Sequence, residues 1–306
     1  MRAFIFPGQG SQSVGMGKAL AEASATARML FEEVDEALGQ HLARLMAEGP
    51  IEDLTLTENA QPAIMANALA TFRVSGIDVA KADFVAGHSL GEYSALAAAG
   101  SFDVATAARL LKLRGQAMQQ AVPVGQGAMA ALLGADLAIA QAVAEAAAQG
   151  EVCTVANDND PSQVVLSGHC GAIERALEIA REKGAKRAVL LPVSAPFHSP
   201  LMEPAAQAME RALADADIAR PAVPLYANVT ATPVQDPAEI RRLLVEQVTG
   251  MVRWRESVAA MAAAGVDHFV EFGGKVLAPM VKRIAPDAKV TSAVSMDDID
   301  ALVKEI

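Results

Sequence analysis

Residues 85–95 read "VAGHSLGEYSA" and hold Ser89 between Gly87 and Gly91, each two positions away. Before them comes the short apolar run "ADFVAG" (residues 82–87), which has strand character; "SLGEYSALAAAG" follows as a helical run that stops near Gly100. Serine in G-x-S-x-G between a strand and a helix is the pattern of a nucleophile elbow. Small neighbours permit a sharp turn, and the first turn of the following helix leaves backbone N–H groups free to face an oxyanion. The same residue type at the same place also suits a plain helix N-cap. Strand and turn recur at the N-terminus, where "RAFIF" (residues 2–6) runs into Pro7-Gly8-Gln9-Gly10. With Ala-rich helices expected over residues 20–38 and 61–74, the pattern predicts an α/β fold: a large hydrolase-like domain with a parallel-sheet core.

The rhythm changes between residues 125 and 195. Strand (127–134), helix (135–150), strand (152–158), strand (163–168), helix (171–184) and strand (187–194) give βαββαβ, the split unit of ferredoxin-like folds. The expected organisation is a large α/β catalytic domain from residues 1–124 and 196–306, interrupted by a ferredoxin-like subdomain at 125–195. A helix at 200–216, a strand at 223–230, a helix at 237–250 and a strand at 266–273 return the chain to the large domain.

Composition narrows the function classes. A net charge of −11 argues against broad nucleic-acid binding, which needs a basic face. No apolar run nears the ~18–20 residues of a membrane span. The apolar segment of the opening "MRAFIFPGQG" is too short for a secretory signal, so a cytoplasmic location is expected. The two cysteines, Cys153 and Cys170, lack metal-ligand spacing and are expected to be buried free thiols. The "PGQGSQ" turn fails G-x-G-x-x-G at its third glycine, which argues against a nucleotide cradle; its glycines would instead let backbone approach a site closely.

A serine nucleophile needs a base, and the chain has five histidines. His41 and His169 have polar or Gly-flanked neighbours that suggest the surface, His268 sits in an apolar strand, and His88 adjoins Ser89 in a position suited to a structural role. His198, in "VSAPFHSPLM", is the candidate base. Pro196 and Pro200 restrict its backbone, and Ser199 with Pro200 can begin the next helix. On the helix expected at 104–121, Arg114 falls in the apolar stripe with Leu110, Leu111 and Met118. A guanidinium there needs an anionic partner, either a structural Asp or Glu or the substrate itself.

"FPGQGSQSVGMG" (6–17), "GHSLGEYSA" (87–95), "LLKLRGQAMQQA" (110–121) and "PVSAPFHSPLM" (192–202) together resemble the malonyl-CoA:acyl carrier protein transacylase family, in the family's order and over residues 3–280. The resemblance implies a ping-pong acyl transfer from malonyl-CoA to the phosphopantetheine thiol of acyl carrier protein, supplying fatty acid synthesis. Ser89 and His198 would act as a dyad, and Gln9 with the Leu90 N–H would form the oxyanion hole. Arg114 would bind the malonyl carboxylate, the backbone carbonyl of Gln247 would orient His198, and Phe197 and Met118 would flank the acyl pocket. The residues agree with that implication: a helix ending near Gly250 leaves the carbonyls of its last turn without intrahelical partners. The side chain of Gln247 has no evident duty. No metal or cofactor, no nucleic acid and no membrane partner is implied, and the enzyme is expected to be a monomer. Lys186, Arg187, Lys275, Lys282 and Arg283 are candidate contacts for CoA phosphates or an acidic carrier. A polyketide malonyl loader and a serine thioesterase or hydrolase are the alternatives.

Overall fold

The computed structural model describes residues 1–193 and 195–306, whose strands form two sheets. In chain order they are β1 (Arg2–Phe6), β2 (Phe84–Gly87), β3 (Gly127–Leu133), β4 (Cys153–Asp160), β5 (Gln163–His169), β6 (Arg187–Leu190), β7 (Leu225–Tyr226), β8 (Pro233–Val234), β9 (His268–Phe272) and β10 (Lys289–Ala293). The larger sheet runs β10-β9-β1-β2-β7-β8 and is parallel except for the antiparallel β7–β8 pair at its edge. This mixed α/β architecture is the expected fold class.

β1 lies inside that sheet with both faces covered, so its sequence is apolar at every position after Arg2. The strand period of two sends Phe4 and Phe6 to one face, where they pack with Phe72 and Phe272, and Ala3 and Ile5 to the other, against the layer of Trp254 and Phe269. Each fully buried phenylalanine contributes about 2–3 kcal/mol of transfer free energy. β1 and β2 pair from Ala3↔Phe84 to Phe6↔Gly87, so the Pro7–Gly10 loop and the Ser89 turn leave the sheet side by side at the carboxyl ends of adjacent parallel strands. That is where parallel α/β sheets place ligands.

The smaller sheet has order β4-β5-β3-β6 with every pairing antiparallel. Alternate residues Ala130, Leu132, Val164 and Leu166 pack under the helices Leu137–Ala148 and Cys170–Glu182, while Met129, Ala131 and Val165 on the other face join the main core. β4 is stitched to the segment before the helix Trp254–Ala263: Asp158 N–H donates to the Val252 carbonyl (3.0 Å), and Val252 N–H to that of Ala156 (2.8 Å). Two ion pairs add to the seam, Arg255–Asp158 and Arg283–Asp160, each at 2.8 Å with a fully buried carboxylate.

Several elements differ from expectation. The helix expected at 20–38 is two, Lys18–Ala23 and Ala25–Leu38, because Ser24 takes extended dihedrals and separates them. The strand expected at 223–230 keeps only Leu225–Tyr226, because Asn228 leaves the ladder to bond the elbow. The strand expected at 187–194 ends at Leu190, and its last residue, Ser194, lies outside the described residues. Ser199 precedes a short 3-10 turn, Pro200–Met202, without capping it, since its hydroxyl donates to the Pro196 carbonyl at 2.7 Å. The helix Pro237–Thr249 follows its expectation closely. Among the described residues no helix is long and apolar enough to cross a membrane.

Candidate active site

Ser89 sits between β2 and the helix Gly91–Ala98 with φ at +54°, a left-handed conformation that costs a residue with a side chain about 1–2 kcal/mol. Both flanking glycines are required sterically. A Cβ on Gly87 would lie 1.9 Å from the Gly91 carbonyl, and one on Gly91 would lie 2.3 Å from that of Phe6. The turn is held from the side by Asn228, whose Oδ1 accepts the Ser89 N–H (2.8 Å) and whose Nδ2 donates to the Gly87 carbonyl (2.7 Å).

His198 also has a left-handed backbone, φ +55°, and is buried. Its Nε2 lies 2.7 Å from Ser89 Oγ and its Nδ1 lies 2.8 Å from the Gln247 carbonyl. A carbonyl can only accept, so Nδ1 carries the proton and Nε2 faces the serine as an acceptor. Burial, followed by the nearby Arg114 cation, holds this imidazole down to about 3, which leaves it neutral near pH 7.

Arg114 is 1% exposed on the helix Val104–Gln120 and, among the described residues, forms no ion pair with a carboxylate. A structural ion pair is therefore not its anchor. Nη1 donates to Gln61 Oε1 (2.8 Å), and Nη2 donates to Gln247 Oε1 (2.8 Å) and Ser89 Oγ (3.1 Å). Neutral amides fix its orientation without neutralising its charge, which leaves a cation beside the serine able to take an anion. Gln247 thus uses its side chain as well as its backbone: Nε2 donates to the Ser89 carbonyl (3.0 Å) and to the Glu92 carboxylate. Burial pushes the Glu92 carboxyl up to about 7.

Ser89, His198 and Arg114 face a cavity of about 270 Å³ that Gln9, Leu90, Met118 and Phe197 also line. Neither the Gln9 nor the Leu90 backbone N–H meets a protein acceptor among the described residues. The Gln9 side-chain Nε2 donates to Thr57 Oγ1 at 3.5 Å. Met118 Sδ receives the Gln61 amide at 3.7 Å, so the arginine's anchor is itself braced by the pocket wall.

Three residues of this constellation went unread in the sequence. Gln61 is a buried amide in the helix Thr57–Ser75, set beside the apolar Ala60, Pro62, Ala63 and Ile64, and that local mismatch was an available signal. Glu92 and Asn228 carried no periodic signal, since both serve a turn. Of the remaining candidates, His88 bonds Asn159 Oδ1 at 2.8 Å and burial lowers its basicity. His268 bonds Thr291 Oγ1 at 2.9 Å, and His41 is exposed. His169 is half-buried instead of superficial, because its Nδ1 accepts the Val152 N–H at 2.9 Å. Both cysteines are free, Cys153 buried and Cys170 only partly so. Among the proposed docking cations, Arg283 is committed to Asp160, Lys282 donates to the Ala288 carbonyl (2.6 Å) and Lys275 lies 3.8 Å from Asp298; Lys186 and Arg187 are exposed.

The chain matches the acyl transferase domain family over residues 3–283. It is 44% identical over 309 aligned positions to the malonyl CoA-acyl carrier protein transacylase of Bacillus subtilis (strain 168), covering 99% of this chain and 96% of that protein. The crystal structure of acyl-carrier-protein-S-malonyltransferase from Bartonella henselae superposes with a TM-score of 0.97 at 52% identity, over 99% of this chain and 98% of the other. A malonyl-transacylase solved in complex with its type II polyketide synthase acyl-carrier protein superposes at 0.96 with 38% identity, over 100% of this chain and 99% of that one. The chain belongs to the acyl transferase domain family and, within it, to the malonyl CoA-acyl carrier protein transacylases.

Proposed function

We propose that this enzyme carries malonyl from malonyl-CoA to acyl carrier protein through an ester on Ser89. The observation that carries the reading is the line Ser89 Oγ, His198 Nε2, His198 Nδ1 and Gln247 carbonyl, with the Arg114 guanidinium donating to the serine oxygen. His198 Nε2 takes the Ser89 proton as Oγ attacks the thioester carbonyl. The resulting oxyanion is met by the Gln9 and Leu90 N–H groups, which are otherwise without acceptors. The C–S bond then breaks, and the imidazolium returns its proton to the departing CoA sulfur. The carrier's phosphopantetheine thiol runs the same steps in reverse order, giving its proton to His198 and leaving with malonyl. Arg114 pairs with the malonyl carboxylate in a bidentate fork. Phe197 and Met118 bound the space beside the acyl group. The cycle balances without a metal or redox cofactor, and a monomer in the cytoplasm suffices for it.

Intact-mass spectrometry tests this. Enzyme mixed with malonyl-CoA gains one malonyl on Ser89, carrier protein discharges it, and Ser89→Ala gains none. Turnover without that adduct overturns the covalent scheme, and release of malonate with no need of carrier makes the protein a hydrolase. The carrier is assigned to fatty acid synthesis. A polyketide carrier is the second reading, favoured by the relative solved with one, and transfer rates across a panel of carriers separate the two.

A further inference from the structure

Glu92 follows Ser89 by one helical turn and is 1% exposed, yet it touches neither the cavity nor a cation. Its carboxyl group accepts from two donors, the Asn228 backbone N–H at Oε1 (3.0 Å) and the Gln247 amide nitrogen at Oε2. Both partners are N–H donors, so the side chain must offer a lone pair at each end. A carboxyl does so whether ionised or protonated. A glutamine of the same shape does not, since one end would set an NH2 group against an N–H.

Two contacts make this a matter of substrate choice. With Nε2 drawn to Glu92 and to the Ser89 carbonyl, the Gln247 amide can present only Oε1 to Arg114 Nη2, at 2.8 Å. Turned the other way, the amide would aim an NH2 group at a guanidinium that has no acceptor to offer. The orientation of Arg114 therefore depends on an amide whose own orientation depends on Glu92. His198 stands outside this chain of dependence, because it uses the Gln247 backbone carbonyl, which the helix Pro237–Thr249 holds.

We propose that Glu92 is a positioning residue for acyl selectivity: through the Gln247 amide it aims Arg114 at the carboxylate of the acyl substrate. The proposal rests on the reading of Arg114 given above. Its test measures kcat/KM with malonyl-CoA and with acetyl-CoA, which lacks the carboxylate, for Glu92→Gln, Gln247→Met and Arg114→Ala. Arg114→Ala is expected to lose about 100-fold or more with malonyl-CoA and only a few-fold with acetyl-CoA. Glu92→Gln is expected to lose roughly 30-fold with malonyl-CoA and about 3-fold with acetyl-CoA, a tenfold change of preference that a merely structural residue would not produce. Equal losses for both substrates in a folded Glu92→Gln overturn the proposal while leaving the clamp standing, provided that Arg114→Ala separates them. If Arg114→Ala does not separate them, the clamp fails and this inference with it. Should Glu92→Gln not fold, Gln247→Met decides: selective loss of malonyl supports the relay, and parallel loss overturns it.

Discussion

Ser89 and His198 share an uncommon backbone geometry, and in the proposed mechanism they have opposite chemical needs, one to lose a proton and one to take it. The imidazole is kept neutral by burial first and by the Arg114 cation second. Its folded value, about 3, lies below the unfolded 6.5. The stability that His198 contributes is therefore present above pH 6.5 and is lost as pH falls toward 3. Glu92 has the opposite sign: its carboxyl is raised from 4.5 to about 7, so its contribution is present below pH 4.5 and lost as pH rises through 7. For catalysis, the acid limb of kcat/KM with acetyl-CoA should lie well below the ordinary histidine range. Arg114→Ala should move it to higher pH by removing the cation; an unmoved limb would show that burial alone sets the base. Arg114 was readable from its place in an apolar stripe, whereas its amide anchors were not. Gln61 and Gln247 lie 53 and 133 positions away from it, a juxtaposition that only the folded chain reveals.

The elbow is a property of two adjoining elements, and its glycines report how tightly they meet. Gly87→Ala places a methyl group on the Gly91 carbonyl, inside a turn with no room to yield. That variant should appear in the insoluble fraction. Gly100→Ala, at φ +81° with open space around it, should remain soluble and lose only about 1 kcal/mol in a denaturant titration. A soluble, active Gly87→Ala would remove the close-approach argument. Short apolar runs bounded by turn residues made β1, β2 and the four strands of the smaller sheet easy to anticipate, and an apolar stripe did the same for the helix Val104–Gln120. The strand expected at 223–230 failed where Asn228 found better partners than a neighbouring strand. Downstream of residue 250 only β9 was anticipated. β10 and the helices Trp254–Ala263, Leu277–Ile284 and Met296–Glu305 were not, because their short amphipathic runs carry weak signals until the sheet gives them a surface to cover.

The smaller sheet meets the rest of the molecule along β4, through the segment before the helix Trp254–Ala263, and the cavity draws on both sides of that meeting: Met129 from β3 and Asn157 from β4 line it together with Ser89 and Arg114. The seam depends on carboxylates that have no exposure of their own. Asp158 is held by Arg255, about a third exposed, and removing that arginine leaves a buried carboxylate alone. Arg255→Ala should cost about 1–3 kcal/mol at pH 7 by denaturant unfolding, solvent access at the arginine keeping it at the lower end of buried-pair values. Its kcat/KM should fall alike for malonyl-CoA and acetyl-CoA, since the cleft as a whole loosens while the Arg114 anchors persist. A selective loss of malonyl would show that the seam reaches Arg114 directly. The inserted βαββαβ unit was evident from its alternation of elements, but its closeness to Ser89 was not, because nothing local in β4 announces what lies across the cleft.

His198 takes its orientation from a backbone carbonyl, and this changes how the site can be lost through mutation. A carboxylate in that role can be erased by one altered codon and silenced by one proton. The Gln247 carbonyl is exposed to neither hazard, since any residue at that position supplies the same oxygen. What preserves it is the count of residues in the helix Pro237–Thr249. Deleting one of them would turn the end of the helix by about 100° and carry the oxygen away from the imidazole. The genetic weak point of this third partner is thus the reading of length, not of identity.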